Sequence, residues 1–304
     1  MARRIPQIDR STAGGLLAIC LWSTTIAASR SLSEKVGPLT AGVAVYLVGG
    51  VFCFLGLGRS RAAQILKLPS KYLVGCGFLF VLYSLLLYLA VGMARDHEQV
   101  IEIGLINYLW PALTIWFSLL LLNHRAGFSL LPGTGIALSG VLCVMTQNTH
   151  FSWVSFRDHL TGNPVAYCLA LAAAVSWALY SNLARRWSGP GHDGAVALFI
   201  PATGLVLLAI RSFTPEATHW SISAGLEAGF LGAVTALAYA LWESAMRKGN
   251  LLLVAVCSYA TPLLSTAISC AYLKVTPSSK LWIGCLLIVA GSIVSWRAVS
   301  AREA

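Results

Sequence analysis

Apolar runs of about 18 to 25 residues, each long enough to cross roughly 30 Å of hydrocarbon as a helix, recur from one end of this 304-residue chain to the other. A chain built this way has few folds open to it. In lipid every backbone N–H and C=O must be satisfied inside the protein, which leaves helices or closed barrels, and runs of this length are helical. Composition agrees: 57% of residues are hydrophobic and 11% charged, against roughly 25% charged in a soluble domain. The first run is not followed by a small-residue cleavage pattern and a soluble domain, so it reads as a retained span rather than a signal peptide.

Ten candidate helices cover 11–30, 38–58, 71–94, 98–122, 130–149, 163–187, 193–212, 222–246, 250–273 and 278–298. The links are short, the longest lying between the fifth and sixth runs. The fold class expected is an all-α integral membrane protein of ten transmembrane helices. Sorting the 21 Lys and Arg by alternate links puts 14 on one side (Arg3, Arg4, Arg10 and Lys67 among them) and 7 on the other. The positive-inside rule then places both termini in the cytoplasm. The basic links face anionic lipid, so the net charge of +10 implies a bilayer partner and no nucleic acid. The eight cysteines stand singly. With no CxxC pair, no Cys/His cluster at zinc spacing and no nucleotide-binding loop, no disulfide framework, metal or cofactor is expected.

Two stretches raise the next question: Asn107-Tyr-Leu-Trp-Pro-Ala-Leu113 and Ser258-Tyr-Ala-Thr-Pro-Leu-Leu264. At a constant offset of 151, Tyr108 matches Tyr259, Pro111 matches Pro262, Leu113 matches Leu264 and Ser118 matches Ser269. The same offset pairs Gly133 with Gly284 and Gly140 with Gly291. Upstream, Gly77-Phe-Leu matches Gly229-Phe-Leu at 152, and Trp22 with Arg30 matches Trp177 with Arg185 at 155. Residues 1–150 and 151–304 are thus expected to be two copies of one five-helix unit. Five is odd, so the second copy enters the membrane upside down, and inverted repeats of this kind place a binding site between the halves near the midplane. Pro111 and Pro262 are expected in mid-helix, where each frees a carbonyl and kinks its helix; both are candidate hinges, with Gly104 and Gly204 as flexible neighbours.

Ten spans in two inverted repeats, with Pro in the fourth and ninth and Gly-rich fifth and tenth, resemble the drug/metabolite transporter superfamily over nearly the whole chain. Trp22-Ser23 and Asn107-Tyr-Leu-Trp-Pro111 resemble the bacterial aromatic amino-acid exporters more closely. The resemblance implies an inner-membrane exporter whose helices surround a central cavity, with the fifth and tenth helices peripheral, as scaffold or dimer contact. The oligomeric partner is left open.

The aromatic residues divide in two. Trp153, Trp187, Trp220, Trp282 and Trp296 fall near helix ends, as an interfacial belt does. Trp22, Trp110, Trp116, Trp177 and Trp242 lie deeper. Asn107/Trp110/Pro111, Trp177/Tyr180/Ser181 and Tyr239/Trp242/Glu243 each run i, i+3, i+4, which sets every trio on one helix face. Polar groups at membrane depth turn inward. With Trp22, Tyr83, Tyr88 and the matched pair Tyr108 and Tyr259, they outline an apolar chamber with a few placed polar groups, the usual character of a small-molecule site.

Two carboxylates stand apart. Glu102 lies one turn below Glu98 at the outer start of the fourth span, and Glu243 lies one turn from Arg247, where an i, i+4 ion pair is the plain expectation; either could instead carry a proton or meet a substrate ammonium. No span holds Lys or Arg near its centre, which disfavours phosphate cargo. No carboxylate lies between Ser11 and Ser29, where small cation-driven multidrug antiporters carry one. A neutral or aromatic amino acid fits what remains, moved by alternating access. A lipophilic-drug exporter of the same architecture is the alternative. A membrane enzyme would have to draw on His97, His150, His159 or His219, all in outer links, with no catalytic grouping at one depth; no enzyme is expected.

Overall fold

The structure is a computed structural model that describes residues 8–56, 65, 67–146, 152–189, 194–273 and 279–300. All ten predicted runs fall on helix, and every regular element among the described residues is helical. In chain order they are α1 (Arg10–Val36), α2 (Pro38–Gly56), α3 (Lys71–Gly92, opening with a wide π turn over Lys71–Cys76), α4 (His97–Asn107), α5 (Trp110–Leu121), α6 (Leu130–Met145), α7 (Trp153–Gly162), α8 (Pro164–Trp187), α9 (Val196–Phe213), α10 (Ile222–Lys248), α11 (Leu251–Cys257), α12 (Thr261–Leu273) and α13 (Ser279–Ser300). Seven spans are long and apolar enough to cross a membrane, or eight if the bent pair Arg10–Thr25 and Ala28–Val36 counts as one.

Local chemistry sets the ends. Asp9 caps α1, its carboxylate accepting the N–H groups of Ser11 and Thr12. The Thr12 hydroxyl donates to the same carboxylate at 2.6 Å, and this bond, with the backbone N–H bonds, holds the Asp9 carboxyl below the usual range. The cap is therefore present above the ordinary carboxylate range and lost only as pH falls through that lowered value. Gly37 ends α1 at φ 85°, a left-handed conformation that glycine adopts without strain, and the Glu216 side chain fills the space where a Cβ would be.

Pro111 and Pro262 do not kink continuous helices, as the sequence suggested. The fourth run is interrupted at Tyr108 and Leu109, and α5 restarts with Pro111 in its first turn. The ninth run tightens to a 3₁₀ turn over Ser258–Ala260 and restarts as α12, with Pro262 second. A first-turn N–H has no intrahelical partner to lose, so proline fits there. The chain breaks before each proline, at the same place in both halves.

Packing follows the sequence offsets. With α1, α2, α3, α4–α5 and α6 aligned to α8, α9, α10, α11–α12 and α13, the contact of α1 with α10 has its mate in α3 with α8, and that of α5 with α8 in α12 with α1. The pairs α2–α9 and α6–α13 join each element to its own counterpart. The last pair is held by glycine. A Cβ on Gly140 would lie 2.7 Å from the Gly284 carbonyl, and one on Gly291 would lie 2.6 Å from the Gly133 carbonyl. Gly133 faces Ser295 as Gly284 faces Val144, and Gly140 faces Ile288 as Gly291 faces Ala137. Every one of these contacts maps onto another at the offset of 151. Gly204, expected as a flexible point, is instead a close-packing site, where a Cβ would meet Leu47 at 2.7 Å.

Candidate functional site

Five helices aim their aromatic faces at one point. Trp22 of α1 lies 6.0 Å, ring centre to ring centre, from Trp177 of α8, 5.2 Å from Trp242 and 5.4 Å from Tyr239, both of α10. Trp110 of α5 stands edge-on to Trp177 at 6.3 Å and to Trp242 at 5.3 Å. Tyr83 of α3 reaches Trp177 at 4.8 Å, and Phe80, one turn earlier, reaches Tyr239 at 4.9 Å. Trp110, Trp177, Tyr180, Ser181 and Trp242 are buried, as the helical spacing required, whereas Trp22, Tyr83 and Tyr239 are half-buried. Trp22 and Trp177, which are matched in the repeat, meet in the middle.

Polar groups stud the cluster. The Trp242 indole donates to the Ser181 hydroxyl at 3.4 Å, and the Tyr46 hydroxyl lies 2.9 Å from Ser84 Oγ and 3.3 Å from the Tyr239 hydroxyl. Beneath it, Asn182 donates to the Thr114 carbonyl at 2.9 Å, tying α8 to α5. Around the cluster, the Tyr180 hydroxyl, Asn107 Oδ1 and Asn182 Oδ1 are buried without a hydrogen-bond partner among the described residues. Leaving such atoms dry costs about 1–3 kcal/mol each.

Not every predicted residue joins. Tyr108 and Tyr259 pack into a separate cluster with Ala137, Val141 and Ile288 of α6 and α13. They belong to the glycine-laced scaffold, and Pro111 and Pro262 to the helix starts beside it. Tyr88 backs onto Gly42 of α2, its hydroxyl 2.8 Å from where a Cβ would be. Trp116, read as deep, is 60% exposed on the outer wall. It follows Trp110 by six residues, and a helix turns well past half a circle in that distance. The rings pack against one another. A cavity of about 620 Å³ lies elsewhere, between α2, α9 and α10, where Cys53, Val196, Ala236, Glu243 and Arg247 line it and no tryptophan does.

Both carboxylates are buried, at 3% exposure each, and differently engaged. Glu243 accepts the N–H groups of Ala195 and Val196 at 3.2 Å and the hydroxyl of Tyr72. It caps the start of α9 from a neighbouring helix. Arg247 lies over the Tyr72 ring at 5.5 Å, where the expected pairing with Glu243 gives way to a three-helix network. Glu102 accepts the Tyr167 hydroxyl and lies 3.2 Å from Nδ1 of His159, a residue on a helix the sequence left as a link. Among the described residues, no three His, Cys, Asp or Glu side chains could hold a metal ion.

Sequence reasoning passed over Phe80 and Ser84, although Phe80/Tyr83/Ser84 carries the same i, i+3, i+4 signature as the three trios. Tyr46, Phe199, Tyr72 and Tyr167 belong to no such trio, and only tertiary contacts single them out.

Comparison with known proteins bears on what the cluster does. The model of the EamA-like transporter family matches this chain twice, over residues 12–146 and 164–297. Among curated relatives, "Aromatic amino acid exporter YddG" of Escherichia coli (strain K12) is 34% identical over 298 residues, covering 95% of this chain and 98% of its own. The protein of the same name from Salmonella typhimurium (strain 14028s / SGSC 2262) is 31% identical, covering 97% and 99%, and that from Ancylobacter novellus is 31% identical, covering 92% and 95%. A solved crystal structure superposes with a TM-score of 0.81 at 28% identity over 95% of this chain and 98% of its own.

Proposed function

The chain belongs to the EamA-like transporter family, and from that premise we propose that it exports aromatic and other neutral amino acids across the bacterial inner membrane by alternating access. The observation that carries this reading is the aromatic cluster at the meeting of the two halves, with Trp22 and Trp177 contributed by matched positions. An aromatic side chain entering there exchanges ring contacts with the cluster for contacts with itself, at about 0.5–1.5 kcal/mol per ring pair. Its α-carboxylate and ammonium meet Asn107, Tyr180 and Ser181, and the tryptophan faces offer the ammonium a cation–π contact.

The architecture we infer has ten crossings in two inverted repeats, residues 1–150 and 151–304. Support comes from the double family match, from the paired contacts of α6 and α13, and from two shorter apolar helices, Leu130–Met145 and Leu251–Ser265, beside the eight longer candidates. Both termini lie in the cytoplasm on the charge count. The breaks before Pro111 and Pro262 act as hinges, since no continuous hydrogen-bond ladder resists bending there. Tyr88, Tyr108 and Tyr259 support the walls, and Glu243 holds α9.

Counterflow of labelled phenylalanine or tryptophan in proteoliposomes tests the reading. Uptake against a preloaded aromatic amino acid is the expected result. Dye export without amino-acid counterflow would favour the lipophilic-drug alternative and remove this one.

A further inference from the structure

Helix α7 takes no part in the aromatic site. None of its residues is described as buried, and Trp153 and Val154 are each 70% exposed. It lies on α4 and α8 at the end of the bundle that the charge count assigns to the periplasm. Glu102 precedes Trp110 by eight residues, about 12 Å of helix, so α7 sits above the aromatic cluster on the same wall.

His159 of α7 lies between two carboxylates. Nδ1 of His159 lies 3.2 Å from Oε2 and 3.3 Å from Oε1 of Glu102, and Nε2 lies 3.8 Å from Oδ2 of Asp96. A neutral imidazole has one N–H, and only the imidazolium donates from both nitrogens. Both nitrogens here face acceptors. The other groups around the ring are settled. From α8, Tyr167 donates to Glu102 and Asn163 donates to the Met93 carbonyl at 2.8 Å and to Gln99 at 3.1 Å. From the link before α4, Arg95 donates to the Gly162 carbonyl at 2.7 Å. Glu98 on α4 is exposed, and so are Arg157 and Asp158 on α7 itself. Phe156 of α7 also makes a ring contact with Tyr167 at 5.9 Å.

We propose that Asp96, Glu102 and His159 form a proton-binding clip that closes α7 over the outer end of the export path. The proton is the ligand, and the inference rests on the exporter reading only for what the lid covers. With the ring protonated, a charge-assisted hydrogen bond to Glu102 and an ion pair with Asp96 fasten α7; with the ring neutral, the ion pair is lost and the helix lifts. Acid outside therefore slows release, and alkali frees it.

Hydrogen exchange on the full-length protein in nanodiscs, at about pH 5.5 and about pH 8, reads the clip without reference to transport. After correction for the intrinsic rate, amides of α7 are expected to exchange up to about fivefold more slowly at the acid value, since the partly exposed ion pair lost with the ring's charge is worth about 0.2–1 kcal/mol. His159→Gln should remove that difference. Asp96→Asn keeps a side chain able to cap α4 while removing one acceptor charge, and should reduce the difference if the glutamine variant does not fold. Equal corrected rates at both values in the natural protein, or an undiminished difference in either variant, would overturn the clip. Failed counterflow with intact pH-dependent exchange would instead count against the exporter reading alone.

Discussion

Trp22 and Trp177 carry the argument at the residue scale, because each touches three or more other rings while facing its counterpart from the opposite half. Truncating either should remove ligand-facing surface and leave a cavity. Buried aromatic anchors at binding surfaces lose about 2 kcal/mol or more on truncation. Trp22→Ala, Trp110→Ala and Trp177→Ala are therefore each expected to cut counterflow of labelled phenylalanine at least about tenfold at normal expression. Trp116→Ala, on the exposed wall, should leave it unchanged, and a matching loss there would sink the assignment of the cluster as the site. Much of this cluster was legible in the sequence, because polar and aromatic residues at i, i+3, i+4 can share only one helix face. Depth and azimuth beyond that trio were not. Trp116 has the composition of a site residue, but its rotation away from Trp110 is fixed by how α5 docks, which no single helix encodes.

Elements are joined here by two devices, borrowed caps and glycine contacts. The α2 and α9 helices, counterparts in the repeat, each begin on a carboxylate from elsewhere. Glu216 accepts from the N–H groups of Leu39 and Thr40 at 2.9 Å, and Glu243 does the same for Ala195 and Val196. Unpaired N–H groups and the positive end of the helix dipole make that a favourable place for an anion. Glu216→Ala and Glu243→Ala should each lower the melting temperature of the detergent-solubilised protein, at a cost of about 1–2 kcal/mol per lost cap. Glu243→Gln should leave any pH response of counterflow as it is in the natural protein, and a change would return Glu243 to the list of proton carriers. Between α6 and α13 the glycines decide. Gly140→Leu or Gly284→Leu would drive a side chain into the facing backbone and cost upwards of about 1–3 kcal/mol, read as lost folded yield. Gly225→Ala, where nothing lies within 4 Å of the added methyl, should be neutral or slightly stabilising. The matched glycines stood out in the sequence by their spacing, but their reason did not. Nor did the borrowed caps, which come from residues 176 and 47 positions or more away.

At the scale of the whole molecule, the repeat explains why one set of contacts recurs in two places, and it commits the chain to a topology. If each half has five crossings, matched links must open on opposite sides of the membrane. On the proposed topology, the link after residue 122 lies with the cytoplasmic charges, through Arg125, and the link after residue 273 lies outside. In a variant with the natural cysteines replaced, Ala126→Cys should react with a membrane-impermeant maleimide only after the cells are permeabilised, and Ser278→Cys should react in intact cells. The two positions follow matched spans, so their labelling compares equivalent points of the two halves and not merely two loops. Labelling of both from one side would mean an even number of crossings between them. The halves would then run parallel, Trp22 and Trp177 would no longer be related by a midplane axis, and the alternation of inward and outward opening would lose its structural basis. Opposite labelling would leave that basis standing, with the site midway between two ends that need never open together.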